Sequence, residues 1–173
     1  VPLLRKEFVP SQDQSVFMVR IQTPVGSSME YTDARFKEAE KWLQAQPVLN
    51  RYFSAIGGFG GGEVNSGILF LTMKPRAERP KNEKGNLMTQ GDFMAQARKE
   101  LNQIKDIRAM VMDLSQQGFS ASRGFPVEFN IRGPDWDTLI KLSTAMEEHL
   151  AKTGLLVDVD TDYKAGMPEI RVF

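Results

Sequence analysis

The chain has 173 residues, enough for one or two domains with a real core, and its hydrophobic and charged contents of 41% and 25% are those of an ordinary globular protein. Its 22 basic and 22 acidic side chains cancel, which removes the net field that draws in a polyanion. Cysteine is absent, so disulfides and thiolate metal sites are excluded, and no run of about 18 apolar residues is present to span a bilayer.

The opening residues Val1 to Lys6 are too short in their apolar part for a signal peptide and read as a chain cut from something longer. Residues 15–23 are rich in β-branched and aromatic types and predict a strand that ends at Pro24-Val25-Gly26. Ser27 or Ser28 then offers an N-cap oxygen to a helix whose apolar face carries Met29, Thr32, Phe36, Ala39 and Leu43, with Pro47 just beyond its end. Asn50 to Ile56 and Gly67 to Lys74 predict two further strands. Between them runs Gly57-Gly58-Phe59-Gly60-Gly61-Gly62. Glycine reaches φ > 0 at little steric cost, so this stretch can take many shapes. Two readings stand side by side: a movable aromatic finger, or a loose hairpin whose Phe59 tucks into the core.

Residues 75–88, with Arg76, Arg79, Lys81 and Lys84 among prolines, a glycine and acids, predict a long exposed loop. Thr89 caps a second helix with Asp92 three residues on, in the pattern of a capping box, and Phe93, Ala97, Leu101 and Ile104 form its apolar stripe. Ile107 to Leu114 predicts a fourth strand. The order strand, helix, strand, strand, helix, strand is that of an α+β, ferredoxin-like β-α-β-β-α-β unit over residues 1–118. Residues 115–124 are small and polar and read as a linker. A second unit over 119–173 repeats the first half of the cadence. It comprises a strand at 126–132, a helix with Leu139, Leu142, Met146 and Leu150 on one face, and strands at 155–161 and 168–173. Such a half (β-α-β-β) unit leaves an open edge and an uncovered apolar face, so its complement must come from a longer parent chain or a neighbour.

The chemistry available for catalysis is poor, and no catalytic residue, cofactor or metal site is expected. The one histidine, His149, sits beside Glu147 and Glu148 at the polar end of a helix, without a second histidine or cysteine to build a metal site or nucleophile. Asp158, Asp160 and Asp162 alternate along an expected strand and read as a solvated face in preference to a cation site. The glycine run lacks a glycine at position 63, which is Glu63, and no Gly-Lys-Ser/Thr occurs, so neither nucleotide signature is met. The basic aromatic strand motif of RNA-recognition domains is missing too. What remains is apolar and adaptable: Phe17, Met18, Ile56, Phe70, Met73, Met110 and Met112 lie in strands, and methionine moulds itself around irregular ligands. For any one of them, core packing is the alternative role.

Four segments in this order, Phe8-Val9-Pro10-Ser11-Gln12-Asp13-Gln14-Ser15-Val16-Phe17, the glycine loop through Asn65-Ser66-Gly67, Met73-Lys74-Pro75-Arg76-Ala77-Glu78-Arg79-Pro80, and Gly166-Met167-Pro168-Glu169, closely resemble the resistance-nodulation-division (RND) multidrug efflux transporters, hydrophobic and amphiphilic exporter branch. The resemblance covers essentially the whole chain. It implies the periplasmic segment of the C-terminal half of a proton-driven inner-membrane pump: one complete porter subdomain, then the first half of the next, broken off where a docking-domain insertion begins. It also implies a homotrimer working with a periplasmic adaptor and an outer-membrane channel to expel hydrophobic and amphiphilic compounds. By position, Phe59 resembles the aromatic of the switch loop formed with Gly57, Gly58, Gly60, Gly61 and Gly62. Ile56 and Phe70 would line the deep pocket, and Met18, Met110 and Met112 the access side or the cleft. The chain departs from the pattern at Gly61, where well-studied members carry a second aromatic, and its loop is one residue shorter. Ser54 replaces a phenylalanine, Asp160 falls near a position that is basic in some members, and Arg20 stands where a methionine is common, which implies a preference for anionic substrates. The different class of reading is a stand-alone ferredoxin-like ligand-sensing or protein-interaction module; long apolar helices in the parent frame before Val1 discriminate the two.

Overall fold

The structure, a computed structural model, describes residues 12–57, 63–82, 85–115, 127–161 and 163. The chain divides into two compact units, residues 1–127 and 128–173, each described by itself.

The first unit is built from β1 (Val16–Gln22), α1 (Met29–Gln44), β2 (Leu49–Ile56), β3 (Ser66–Met73), α2 (Gln90–Leu101) and β4 (Arg108–Asp113). The strands form one antiparallel sheet in the order β2-β3-β1-β4. This is the ferredoxin-like arrangement expected from the element order. Side chains alternate across a sheet, and on β1 the alternation is complete: Phe17, Val19 and Ile21 are buried while Met18, Arg20 and Gln22 are only partly so. The buried set joins Leu69, Leu71 and Met73 of β3, Ala109 and Val111 of β4, and Phe36, Ala39, Leu43, Phe93, Ala97 and Leu101 of the two helices in one core. Each fully buried large side chain of this kind stabilises the fold by roughly 1.5–3 kcal/mol. The helices meet through rings: Phe93 stacks on Trp42 at 6.1 Å and meets Phe17 edge-on at 5.7 Å.

Both helices start at the expected caps. The Ser28 side chain accepts the Tyr31 N–H, and Thr89 and Asp92 form a reciprocal capping box. On α1, Thr32, Phe36, Ala39 and Leu43 are buried, whereas Met29 is 45% exposed and stands outside the core face. Gly67 allows the close approach of α1 to the sheet: a Cβ there would lie 2.5 Å from both the Ala55 carbonyl oxygen and Phe36 Cζ. Gly57, at φ +77°, turns the chain out of β2 while its N–H still donates to the Ser66 carbonyl at 2.7 Å.

The segment 75–88 is exposed at most of its described positions, as its composition suggests, with Arg79 as the buried exception. Its described residues include a 3₁₀ turn, Arg76–Glu78, and a bridge between Lys81 and Leu87. Its Arg79 side chain is fully buried. The guanidinium grips the Asp13 carboxylate with both terminal nitrogens, at 2.6 and 2.9 Å. It also donates to the carbonyls of Lys74 and Met88 and to Ser15 Oγ. Asp13 in turn accepts the backbone N–H groups of Ser15 and of Gln90, the first residue of α2. One ion pair thus ties the start of β1, the end of β3 and the start of α2. The Arg79 hydrogen bonds are the main reason the Asp13 carboxyl is lowered to a pKa of about 2. A planar fork that satisfies five donors is what makes burial of this cation tolerable.

The outer edge of β4 is closed by side chains of α2 and the turn after it. Asn102 accepts the Ala109 N–H and donates to its carbonyl, both at 2.9 Å, and Arg98 donates to the Val111 carbonyl. The side-chain amide imitates a neighbouring strand at Ala109, which blunts this edge towards another chain.

In the second unit α3 (Trp136–Lys152) forms as expected, with Asp135 as its N-cap and Gly154 at φ +67° just beyond its end. The expected strands at 126–132 and 155–161 are not formed: among the described residues of these ranges none is paired in a sheet. Strand-like segments need partners for their backbone groups, and a pair without a third strand is marginal. No residue of α3 is buried; Trp136, Leu142 and Met146 are exposed, and Trp136 meets Tyr163 edge-on at 5.4 Å. Asp158 takes the left-handed φ of +58°, so the alternation expected to align Asp158 with Asp160 on one strand face is not present. The strand expected at 168–173 lies outside the described residues, and the Asp162 side of the acidic alternation does too.

Candidate functional site

The face of the sheet turned away from α1 and α2 carries the candidate site. Register defines it in two cross-strand rows. In the first, Phe53 of β2 lies opposite Phe70 of β3, Phe70 opposite Met18 of β1, and Met18 opposite Met112 of β4. In the second, Ala55, Ile68, Arg20 and Met110 follow in the same strand order. Each row spans three interstrand spacings, about 14 Å, which is the length of a drug-sized molecule. Directly opposed residues on such a face have Cβ atoms about 5 Å apart, so each row is a continuous strip of side chains.

The strip grades from open to closed. Phe53 is 52% exposed at the β2 edge, whereas Met110 is fully buried and Met112 nearly so at the β4 end. Neither methionine belongs to the helix-side core that takes Ala109 and Val111, the residues alternating with them. A strip of two phenylalanines, three methionines and an isoleucine has large, polarisable and conformationally adaptable surface, the composition that lets one site accept many shapes.

Of the residues singled out in the sequence, Met18, Phe70, Met110 and Met112 are brought together on this face. Ile56 is not. Positions 52, 54 and 56 alternate to the helix side, where Ile56 packs against the core and the Ser54 hydroxyl donates to Glu40. The expectation that Ile56 shares a wall with Phe70 therefore gives way to the period of two along β2. Ser54 is likewise off this face. Phe59 and Gly58, Gly60, Gly61 and Gly62 lie outside the described residues; Gly57 is described and sits at the mouth of that loop. Phe53 escaped the sequence reading, because the pairing of Phe53 with Phe70 depends on the hairpin register and the loop between the strands conceals it.

Nothing on this face suggests bond-making chemistry. The strand positions that form it carry no acid, histidine or cysteine. His149 is exposed in the last turn of α3. No group of three or more histidine, aspartate or glutamate side chains able to hold a metal occurs among the described residues. Among the same residues no helix is long and apolar enough to cross a membrane.

Comparison with known proteins agrees with the four-segment resemblance. The sequence profile described as "AcrB/AcrD/AcrF family" matches residues 1–173. The multidrug resistance protein MdtC of Escherichia coli O81 (strain ED1a) is 25% identical over 170 residues, covering 96% of this chain and 15% of that protein. MdtC of Salmonella arizonae is 35% identical over 77 residues, covering 44% of this chain and 7% of that protein. MdtC of Salmonella paratyphi B is 36% identical over 74 residues, 43% of this chain and 7% of that protein. The chain thus spans no more than about a seventh of the curated relatives it matches. The structure adds a physical reason for two of the four segments: Asp13 and Ser15 of the first hold Arg79 of the third. On the match along its whole length, the chain belongs to the AcrB/AcrD/AcrF family of RND multidrug efflux transporters.

Proposed function

We propose that this chain is a periplasmic porter segment from the C-terminal half of a proton-driven RND efflux pump, and that the face carrying Phe53, Phe70, Met18 and Met112 is part of the wall along which hydrophobic and amphiphilic compounds pass. In this reading residues 1–118 are a complete porter subdomain and 119–173 the first half of the next. The observation that carries it is the continuous aromatic and methionine strip across four strands, exposed at one end and buried at the other, in a chain of this family. A solvated sheet face is polar throughout; the two central rows of this one are apolar but for Arg20.

Phe59 is the aromatic of a switch loop whose glycines lower the barrier for reshaping, and Gly57 is its fixed end. Burying one phenylalanine in one loop state and not another is worth roughly 1.5–3 kcal/mol, enough to bias the loop by about tenfold or more. The segment performs no catalysis and holds no cofactor. It works in the inner membrane's periplasmic portion of a homotrimer, with an adaptor and an outer-membrane channel as partners and no nucleic acid. Proton-coupled steps reside outside this chain and reach it as movements of its units.

The test is drug resistance conferred by the full-length transporter carrying this segment. Phe70→Ala and Phe59→Ala each lower export of bulky apolar drugs while expression and trimer assembly persist. Unchanged resistance for both variants at equal expression contradicts the proposal.

A further inference from the structure

The apolar face contains one feature that a purely greasy path does not need. Arg20 sits in the second row, directly opposite Ile68 on one side and Met110 on the other. Its neighbours in the first row are Met18, Phe70 and Met112. It is partly buried. Its side chain makes no hydrogen bond or ion pair with any described residue. The contrast with Arg79 is direct: that guanidinium, fully buried, has every donor engaged.

The rest of the face strengthens the point. Although acidic and basic residues are equal in number along the chain, the strand positions of this face hold Arg20, Arg51 and Arg108 and no aspartate or glutamate. A guanidinium remains charged at any accessible pH, and its planar fork matches carboxylate, sulfonate and phosphate oxygens. Five donors in apolar surroundings lose hydration without protein acceptors to replace it, so an anionic ligand gains more from them there than at an open surface.

We infer that Arg20 makes this face selective for amphiphilic anions, molecules with an apolar body of about 10–14 Å and one carboxylate, sulfonate or phosphate at the end. The body lies along the row Phe53, Phe70, Met18, Met112 and the anionic end meets Arg20. The inference rests on the porter reading for its setting and adds the ligand class.

The test uses two dyes with the same ring system, 8-anilinonaphthalene-1-sulfonate and its uncharged counterpart N-phenyl-1-naphthylamine. Fluorescence titrations are made with the full 173-residue chain and its Arg20→Met and Arg20→Lys variants, with circular dichroism confirming equal folding. A hydrogen bond to a charged partner corresponds to roughly tenfold or more in affinity. The expected result is that Arg20→Met weakens sulfonate binding about tenfold and leaves the neutral dye within twofold, while Arg20→Lys retains most of the sulfonate affinity. Equal effects on both dyes, or none on either, overturn the inference and leave the porter reading intact. The same dyes are then followed in cells expressing the full-length transporter. Export of neither dye nor of any other apolar compound removes the porter reading, and the inference falls with it.

Discussion

Replacing Asp13 with asparagine tests the claim that one ion pair locks the fold of the first unit. Asparagine keeps the shape and one acceptor oxygen, so it isolates the charge. Arg79 is left fully buried with its carbonyl and hydroxyl acceptors but without a counter-ion. Breaking a buried pair by removing one partner costs about 3–5 kcal/mol, and the retained oxygen moves the expectation to about 2–4 kcal/mol at pH 7. Urea unfolding followed by tryptophan fluorescence reads it. Trp42, stacked on Phe93, reports the unit that holds the clip, and a Trp136→Phe background silences the other tryptophan. The midpoint should fall by roughly 1–2 M urea. Acid adds a second reading. The folded pKa of Asp13 is about 2, below the ordinary 3.8, because the Arg79 hydrogen bonds favour the carboxylate. A carboxylate lowered in the folded state contributes stability that is present above pH 4 and lost as pH falls through 2. For a partly exposed group that contribution is about 1–2 kcal/mol. The wild type should lose this much between pH 4 and 2, and Asp13→Asn should not. A loss below about 1 kcal/mol at pH 7, or the same acid profile in both proteins, refutes the role given to the clip.

Other parts of the fold give equally direct tests in the same unfolding assay. Gly67→Ala places a methyl group against the Ala55 carbonyl and the Phe36 ring, so it should destabilise by about 1–3 kcal/mol; a neutral result means α1 does not press on the sheet as described. Asn102→Ala removes both bonds that imitate a strand at the β4 edge, which should lower stability by about 1–3 kcal/mol and raise light scattering through edge-to-edge association; unchanged stability and scattering contradict the edge-closing role.

Much of the first unit was legible because local signals agreed with one another. Ser28 and Thr89 at the helix starts, the i, i+3, i+4 spacing of Thr32, Phe36, Ala39 and Leu43, and the β-branched runs all pointed to the same elements. Long-range chemistry was hidden. Nothing in the composition of 75–88 separates Arg79 from its solvated neighbours; its burial depends on Asp13, 66 residues away. Ile56 was misplaced beside Phe70 because strand parity relative to a partner needs the pairing register, which the sequence leaves open across the loop. The same register, once known, adds Phe53 and sets Arg20 between Ile68 and Met110. In the second unit the strand-like composition of 126–132 and 155–161 was read as paired strands, but pairing is a property of neighbours as much as of residue type.

The most direct measurement of the central claim is substrate protection on the sheet face in the assembled transporter. The segment has no cysteine of its own, so in an otherwise cysteine-free transporter a single cysteine at position 53 reports this face and one at position 37, on the exposed side of α1, serves as control. A fluorescent maleimide is reacted in the presence and absence of an exported compound. Slower labelling at position 53 with compound present, and an unchanged rate at position 37, is the predicted outcome. Equal labelling rates at position 53 with and without compound, under conditions where the compound is being exported, contradict the placement of the drug path on this face.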